Sequence, residues 1–377
     1  MIKHRILTLI QSLYGGGAEK VAADLSFNLN ELFQSTILLY EKNEEKYPYK
    51  GKLEELNIAS QNGIFNKLVR QREIIKQIKK FKNSYKPKVS ISHMGMSNIH
   101  NVLSKDQEKT ICVLHGDVCY NYKNSKVINK ILRNIYAKSD YIVSVSHYLK
   151  ADFEKIHQIK TPHIVIYNGI NIQEVQTKSE DRISLSLPER FIVYVSAFRA
   201  EKNHLKLLEQ IKPLLDRTEI CLVLVGDGHL RKQIEEKIQQ LELTHKVLLT
   251  GNLANPYPVL KKALLSILVS ETESFSLVVV ESLALGVPVI ATDCGGPKEI
   301  LESNITKEIS LPFMAESGIL IDKVSDWKKG TLTNEIELLM ADDNLRASMS
   351  KKGVERAKFF DIKETSKKYV ALITNLM

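Results

Sequence analysis

The stretch LLSILVSETESFSLVVVESLALGVPVIA, residues 264–291, decides the fold. It opens on a β-rich apolar run, Leu264–Val269, crosses a polar loop that carries Glu273, and returns to apolar sequence. Val278–Val280 favours a strand by itself, yet Gly286 and Pro288 close the segment as a short helix that begins near Ser276. A second β-rich run, Val287–Ala291, follows. Strand, helix, strand in so few residues is the grammar of an α/β sheet. A conflict between local preference and context, as at Val278–Val280, is what functional sites produce.

The same alternation extends in both directions. Upstream, strands are expected at Arg5–Ile10, Thr36–Tyr40, Val89–Ser92, Thr110–Leu114, Tyr141–Val145 and His163–Ile166, with helices such as Glu19–Leu32 and Leu68–Tyr85 between them. The pattern restarts with Phe191–Ser196, Ile220–Val225 and Lys246–Thr250, and a last strand at Gly318–Ile321 precedes helices up to Met377. The polar stretch Gln173–Pro188 lacks periodicity and is the expected linker. The chain thus reads as α/β: two Rossmann-like domains with parallel sheets facing each other across a central cleft, where one cleft holds two substrates.

A length of 377 residues favours two domains over one core, and 44% hydrophobic with 26% charged residues is a globular composition. The apolar run Ile6–Ile10 is too short for a secretory signal, and no run approaches the roughly 20 residues that span a bilayer. Cys112, Cys119, Cys221 and Cys294 are scattered, without metal-ligand spacing, and read as small buried hydrophobes in a reducing, cytoplasmic setting. The net charge of +9 is concentrated: residues 64–88 hold nine Lys or Arg against Glu73 alone. A generic nucleic-acid surface would be broader and carry stacking aromatics, so no nucleic-acid partner is expected.

Four features carry chemistry. Gly15-Gly16-Gly17 sits between the first strand and its helix, where glycines let backbone N–H groups approach an anion; its spacing is not that of the dinucleotide fingerprint, and a plain tight turn would use the same residues. Arg199 and Lys202 follow a strand end three residues apart, so that a planar fork and a point charge could meet one diphosphate, or both could be solvated surface cations. Gly226 and Gly228, after another strand, leave room for a nucleotide or simply make a turn. Glu273 on a loop and Glu281 on the following helix could bind different hydroxyls of one ligand, with Ser274 or Ser276 capping that helix. Two acids in an apolar segment otherwise need buried partners.

In that order, with His115-Gly116 and Asn168-Gly169 between them, these motifs resemble family 4 of the retaining glycosyltransferases, of GT-B fold, over nearly the whole chain. The resemblance implies transfer of a sugar from a nucleotide-sugar, with UDP-sugar the leading choice, to a glycan or lipid-linked acceptor. It implies an acceptor-binding domain over 1–180, a donor-binding domain over 186–360, and a helix at about 361–377 that packs back on the first. By position, Gly16 and Gly17 resemble the loop near the donor phosphate, and Arg199 and Lys202 the diphosphate clamp that steadies the leaving group. Gly226 resembles part of the nucleotide site, and Glu281 the carboxylate on the ribose. Glu273 resembles the group on the transferred sugar, beside the N–H groups of Phe275, Ser276 and Leu277. His115 resembles the histidine at the reacting centre. No metal and no cofactor are implied. Ser274, Ser276, Ser282 and Asn203 stand where the family often has Gly, Gly, Ala and Gly, which leaves sugar selectivity open.

Ile64, Leu68, Ile75, Ile78, Phe81 and Tyr85 keep helical spacing, so residues 64–85 read as a basic amphipathic helix. Its cationic face suits the anionic inner face of a cell membrane, or else simply meets water. Two other readings share these motifs: a non-hydrolysing nucleotide-sugar epimerase, and a sugar-binding protein without turnover.

Overall fold

The computed structural model describes residues 3–41, 46–56, 58, 64–116, 125–303 and 309–377, with 64–67 as backbone alone; Cys119 and the side chain of Ile64 lie outside the described residues. The chain divides into two compact units, Met1–Gly169 with Ile362–Met377, and Ile170–Asp361.

The first unit is built on seven strands: β1 (Arg5–Ile10), β2 (Gln34–Leu39), β3 (Lys52–Glu55), β4 (Val89–His93), β5 (Lys109–Leu114), β6 (Tyr141–Ser144) and β7 (His163–Val165). Their order is β3-β2-β1-β4-β5-β6-β7, all parallel. Five of the six residues in each of β1, β2 and β5 are buried, as expected of strands covered on both faces. The last helix, Ile362–Leu376, belongs to this unit: Thr365 Oγ1 donates to the carbonyl of Tyr167 at 3.1 Å, and Tyr369, Leu372 and Ile373 are buried.

The second unit repeats the plan with β8 (Phe191–Val195), β9 (Cys221–Val225), β10 (Val247–Gly251), β11 (Leu265–Leu268), β12 (Val289–Thr292), β13 (Phe313–Met314) and β14 (Gly318–Ile321). The order is β10-β9-β8-β11-β12-β14-β13, parallel except for the short edge strand β13. Both units are therefore Rossmann-like, doubly wound sheets. In the first the strand order reverses between β1 and β4, and in the second between β8 and β11. Open α/β sheets take their ligands at such reversals, at the carboxyl ends of the strands.

Three local readings change. The polar stretch after Gln173 is not structureless: a helix spans Ile172–Lys178, capped by Asn171, whose Oδ1 accepts from the Glu174 N–H at 3.1 Å. The basic helix runs over Ile64–Tyr85, but its buried stripe is Ile74 and Ile78, with Phe81 and Tyr85 packed beside them, while Leu68 is 61% exposed. Lys82 is not part of a solvated face at all.

Lys82 sits inside the unit. Its Nζ meets Glu108 Oε1 at 2.7 Å and donates to the carbonyl and Oδ1 of Asn101 at 2.8 and 2.7 Å. Asn101 Oδ1 also accepts from Ser90 Oγ at 2.8 Å, and the Asp106 N–H donates to Glu108 Oε2 at 3.0 Å. Burial pushes the Lys82 pKa down while Glu108 opposes the shift. The serines of β4 are thus buried because they face this network, not water.

Two expectations follow. Lys82→Met strands the Glu108 carboxylate and should cost about 3–5 kcal/mol, whereas Lys82→Met with Glu108→Leu should recover most of it. Denaturant unfolding measures both, and a neutral single variant would contradict a buried ion pair. Burial also holds His93, His100, His163 and His204 to about 4, with Arg70, Lys150 and Lys202 adding to it at the last three. Their folded-state values lie below the unfolded 6.5, so below that pH the unfolded chain gains protons that the folded chain refuses. The stability they contribute is whole above pH 6.5 and is lost as pH falls toward 4, by up to about 1.4 kcal/mol per pH unit for each ring. Thermal unfolding from pH 7 to 4 should show this slope, and His100→Gln should flatten it.

Candidate active site at the strand ends

Four loops meet at the carboxyl edge of the second sheet, and backbone contact holds them in two pairs. After β8 the chain passes Ser196 and Phe198, and after β9 it makes the turn at Gly226–Gly228. A Cβ on Gly226 would lie 2.0 Å from the Ser196 carbonyl oxygen, and one on Gly228 would lie 2.6 Å from that of Phe198. The Phe198 N–H donates to the Asp227 carbonyl at 2.9 Å. Gly226 and Gly228 are accordingly required by two strand ends touching, a different reason from room for a nucleotide.

The loop after β11 is fixed in the same way against the one after β12. The Glu273 N–H donates to the Cys294 carbonyl at 3.0 Å, and the Gly296 N–H donates back to Glu273 at 2.8 Å. A Cβ on Gly296 would stand 2.5 Å from Phe275 Cα and from the Ser274 carbonyl oxygen. Gly295, at φ +120°, turns the chain into this contact. Sequence reasoning passed over Gly295-Gly296, although the signal was the one used for Gly15–Gly17: glycines directly behind a β-rich run.

Arg199 and Lys202 take separate positions. Lys202 closes a single 3-10 turn, Ala200–Lys202; its carbonyl accepts from the buried Tyr194 hydroxyl at 2.9 Å, and its ammonium pairs with Glu273 Oε1. Ser270 Oγ donates to the same carboxylate oxygen at 3.0 Å. Because Lys202 follows β8 and Glu273 follows β11, this ion pair bridges the reversal of strand order. Both side chains keep under a fifth of their surface exposed. Arg199 is exposed and has no ion-pair partner among the described residues.

Glu281 lies half-buried on the helix Leu277–Ala284, where the Tyr257 hydroxyl donates to its Oε1 at 3.3 Å. Neither Ser274 nor Ser276 caps this helix through its side chain. Ser276 occupies the cap position itself, at φ 91° and ψ 94°, a conformation that glycine adopts more readily. Phe275 is buried, edge-on to Phe360 at 5.6 Å. Leu277 begins the helix.

In the first unit Gly15 (φ +88°), Gly16 and Gly17 follow β1 and start the helix Gly17–Leu32, whose N-terminus also lacks a side-chain cap. A Cβ on Gly16 would stand 2.3 Å from Glu19 Oε2, so the acid of the first helical turn lies over that glycine. His115 follows β5, and its Nε2 is 2.9 Å from Nδ1 of His93, the last residue of β4. Burial, reinforced by His93, holds the His115 pKa well below 6.5. Among the described residues no group of three or more His, Cys, Asp or Glu could hold a metal ion. Gly16, Gly17 and His115 thus lie in the first unit, and Arg199, Lys202, Gly226, Glu273, Phe275, Ser276, Leu277 and Glu281 in the second, where Lys202 and Glu273 are brought into direct contact.

Known proteins are similar to this chain in sequence and in fold. The family described as Glycosyltransferase Family 4 matches residues 15–174, and Glycosyl transferases group 1 matches residues 175–356. An uncharacterized glycosyltransferase of Methanocaldococcus jannaschii is 28% identical over 391 residues, covering 90% of this chain and 95% of that protein. The N-acetylgalactosamine-N,N'-diacetylbacillosaminyl-diphospho-undecaprenol 4-alpha-N-acetylgalactosaminyltransferase of Campylobacter jejuni is 29% identical over 243 residues, 64% of this chain and 62% of that one. In fold the chain is similar to Anabaena HepE, solved in complex with UDP, at 17% identity and a TM-score of 0.76, covering 98% of this chain and 100% of that one. Two Rossmann-like units, each matched in sequence by a glycosyltransferase family, make this chain a glycosyltransferase of GT-B fold.

Proposed function

We propose that the chain is a family 4 enzyme that transfers a sugar from a UDP-sugar to a lipid-linked glycan, with retention of anomeric configuration and without a metal. The observation that carries this reading is the Lys202–Glu273 pair across the β8/β11 reversal, with Arg199 exposed three residues before Lys202. When the bond from the sugar's anomeric carbon to the diphosphate breaks, negative charge collects on the departing diphosphate. Arg199 and Lys202 are the cations set to meet that charge, a role that a divalent ion would otherwise fill. Glu273, released from Lys202, would accept hydroxyls of the transferred sugar, and Glu281 would accept those of the ribose. The Campylobacter relative named for a diphospho-undecaprenol acceptor supports a lipid-linked acceptor, and HepE makes UDP the first nucleotide to test.

A thermal-shift panel of nucleotide-sugars on the wild type, Lys202→Ala and Glu281→Ala tests the donor site. The matching donor should stabilise the wild type by about 2.7 kcal/mol at 100-fold above its dissociation constant, and both variants should lose the response. Variants that respond like the wild type would dismiss the site. Product analysis then separates the reaction classes: a new α- or β-glycoside for a transferase, a free epimer for an epimerase, and no change for a binding protein.

The basic helix brings the enzyme to its acceptor. Arg72, Lys76, Lys79, Lys80, Lys86 and Lys88 are exposed, Leu68 and Val69 show 61% and 42% of their surface, and no helix among the described residues is long and apolar enough to cross a membrane. This face suits an anionic inner leaflet, with each cation near the surface contributing about 1 kcal/mol. Co-sedimentation should show stronger binding to anionic than to neutral vesicles, weakened in Lys76→Ala/Lys79→Ala/Lys80→Ala. Equal binding to both vesicle types would remove the membrane from the account.

A further inference from the structure

Two imidazoles on neighbouring strands touch at the carboxyl edge of the first sheet. His93 closes β4 and is level with Val113 of β5, so His115 stands two residues further toward the ligand end. The rings lie 5.2 Å apart and 34° from parallel, with His93 Nδ1 and His115 Nε2 separated by 2.9 Å. His93 is 1% exposed. The remaining nitrogen of His115, Nδ1, is buried and makes no hydrogen bond among the described residues.

One hydrogen bond between two imidazole nitrogens holds one hydrogen. Burial keeps both rings neutral, so each ring carries a single N–H and a single lone pair. Free neutral histidine prefers the hydrogen on Nε2. Only one direction of the contact lets both rings keep that preference: His115 Nε2–H donates and His93 Nδ1 accepts. The reverse would place both hydrogens on Nδ1. In the favoured direction His115 Nδ1 is a bare lone pair, held at a fixed angle, which accepts a hydroxyl and repels another acceptor.

We propose that His93 is a positioning residue for sugar transfer: by accepting from His115 Nε2–H it fixes that ring and presents its Nδ1 to a hydroxyl of the bound sugar. This rests on the reading of His115 as a residue of the reacting centre. His93 itself touches neither substrate. Its effect resembles that of the groups behind a metal-bound histidine, which set tautomer and angle without meeting the reacting atoms.

Three variants separate this role from simple packing. In His93→Asn the amide oxygen takes the place of Nδ1; in His93→Gln the amide falls near Nε2; in His93→Leu the acceptor is gone. Nitrogen NMR of the unliganded wild type should show His115 protonated at Nε2 and bare at Nδ1. Asn should preserve that pattern, and Gln and Leu should average it. With donor and acceptor, Gln and Leu should lose up to about 100-fold in kcat with little change in donor KM, and Asn should recover most of it. A wild-type His115 protonated at Nδ1 would overturn the proposal, as would Gln and Leu variants with wild-type kcat. A wild type with the expected nitrogen pattern but no transfer to any acceptor would instead overturn the function reading, and with it the reaction role of His93.

Discussion

Backbone pressed on backbone is the constraint on which the second unit depends. At Gly226, Gly228 and Gly296 an added Cβ would fall within 2.0–2.6 Å of a main-chain atom in a neighbouring loop. No side chain can yield to relieve such an overlap, so these loops hold their spacing only while the positions stay glycine. The consequence is chemical. The β8 and β9 loops are locked together, and so are the β11 and β12 loops; where the Glu271 N–H donates to the Glu201 carbonyl at 2.8 Å between the pairs, Lys202 and Glu273 also meet. On the proposed function this ion pair is the contact that a ligand would replace: a diphosphate would offer Lys202 a partner of its own, and sugar hydroxyls would offer Glu273 a neutral one.

The first unit organises its interior by a different means. Polar groups run through it, from Lys82 and Glu108 by way of Asn101 to Ser90 on β4. Such a network is stable only when every member is satisfied, which fixes the helices Ile64–Tyr85 and Gly95–Leu103 against the sheet in one arrangement. β4 then continues into His93, so the strand that carries the network also carries the ring that faces His115.

The sheets were legible because their strands are short apolar runs: Arg5–Ile10 and Gly318–Ile321 coincide with β1 and β14. β3, with the sequence KLEE, had no such signal, since an edge strand half in water needs no apolar pattern. The basic helix was legible as a helix, with Ile78, Phe81 and Tyr85 on its inward face, but the rest of that face was not. Leu68 points outward and Lys82 inward, and only the presence of Glu108, 26 residues on, makes the second arrangement affordable. At the candidate site, the pairing of side chains was not readable. Lys202 and Glu273 stand 71 positions apart, and nothing local announces that one will neutralise the other. Gly226 and Gly228 are legible as turn or as room for a ligand, while the backbone that stands where their Cβ would lie comes from a strand end thirty residues earlier.

The helix Leu277–Ala284 shows how context overrides local preference at such a site. Its Val278–Val280 run favours a strand, but Val279 and Val280 are buried within 1% of completely, so the helix is held by what covers it. At its end Gly286, at φ +72°, lets the Val287 N–H return to the Ser282 carbonyl at 2.9 Å and its own N–H return to Leu283 at 3.0 Å. At its start no hydroxyl caps the first turn, and Ser276 carries the backbone strain instead. Burial and a closed carboxyl end thus stabilise a helix whose amino end is left without a side-chain cap. On the proposed function that asymmetry has a use: a serine side chain bonded to those N–H groups would have to be displaced before a phosphate or sugar oxygen could take its place.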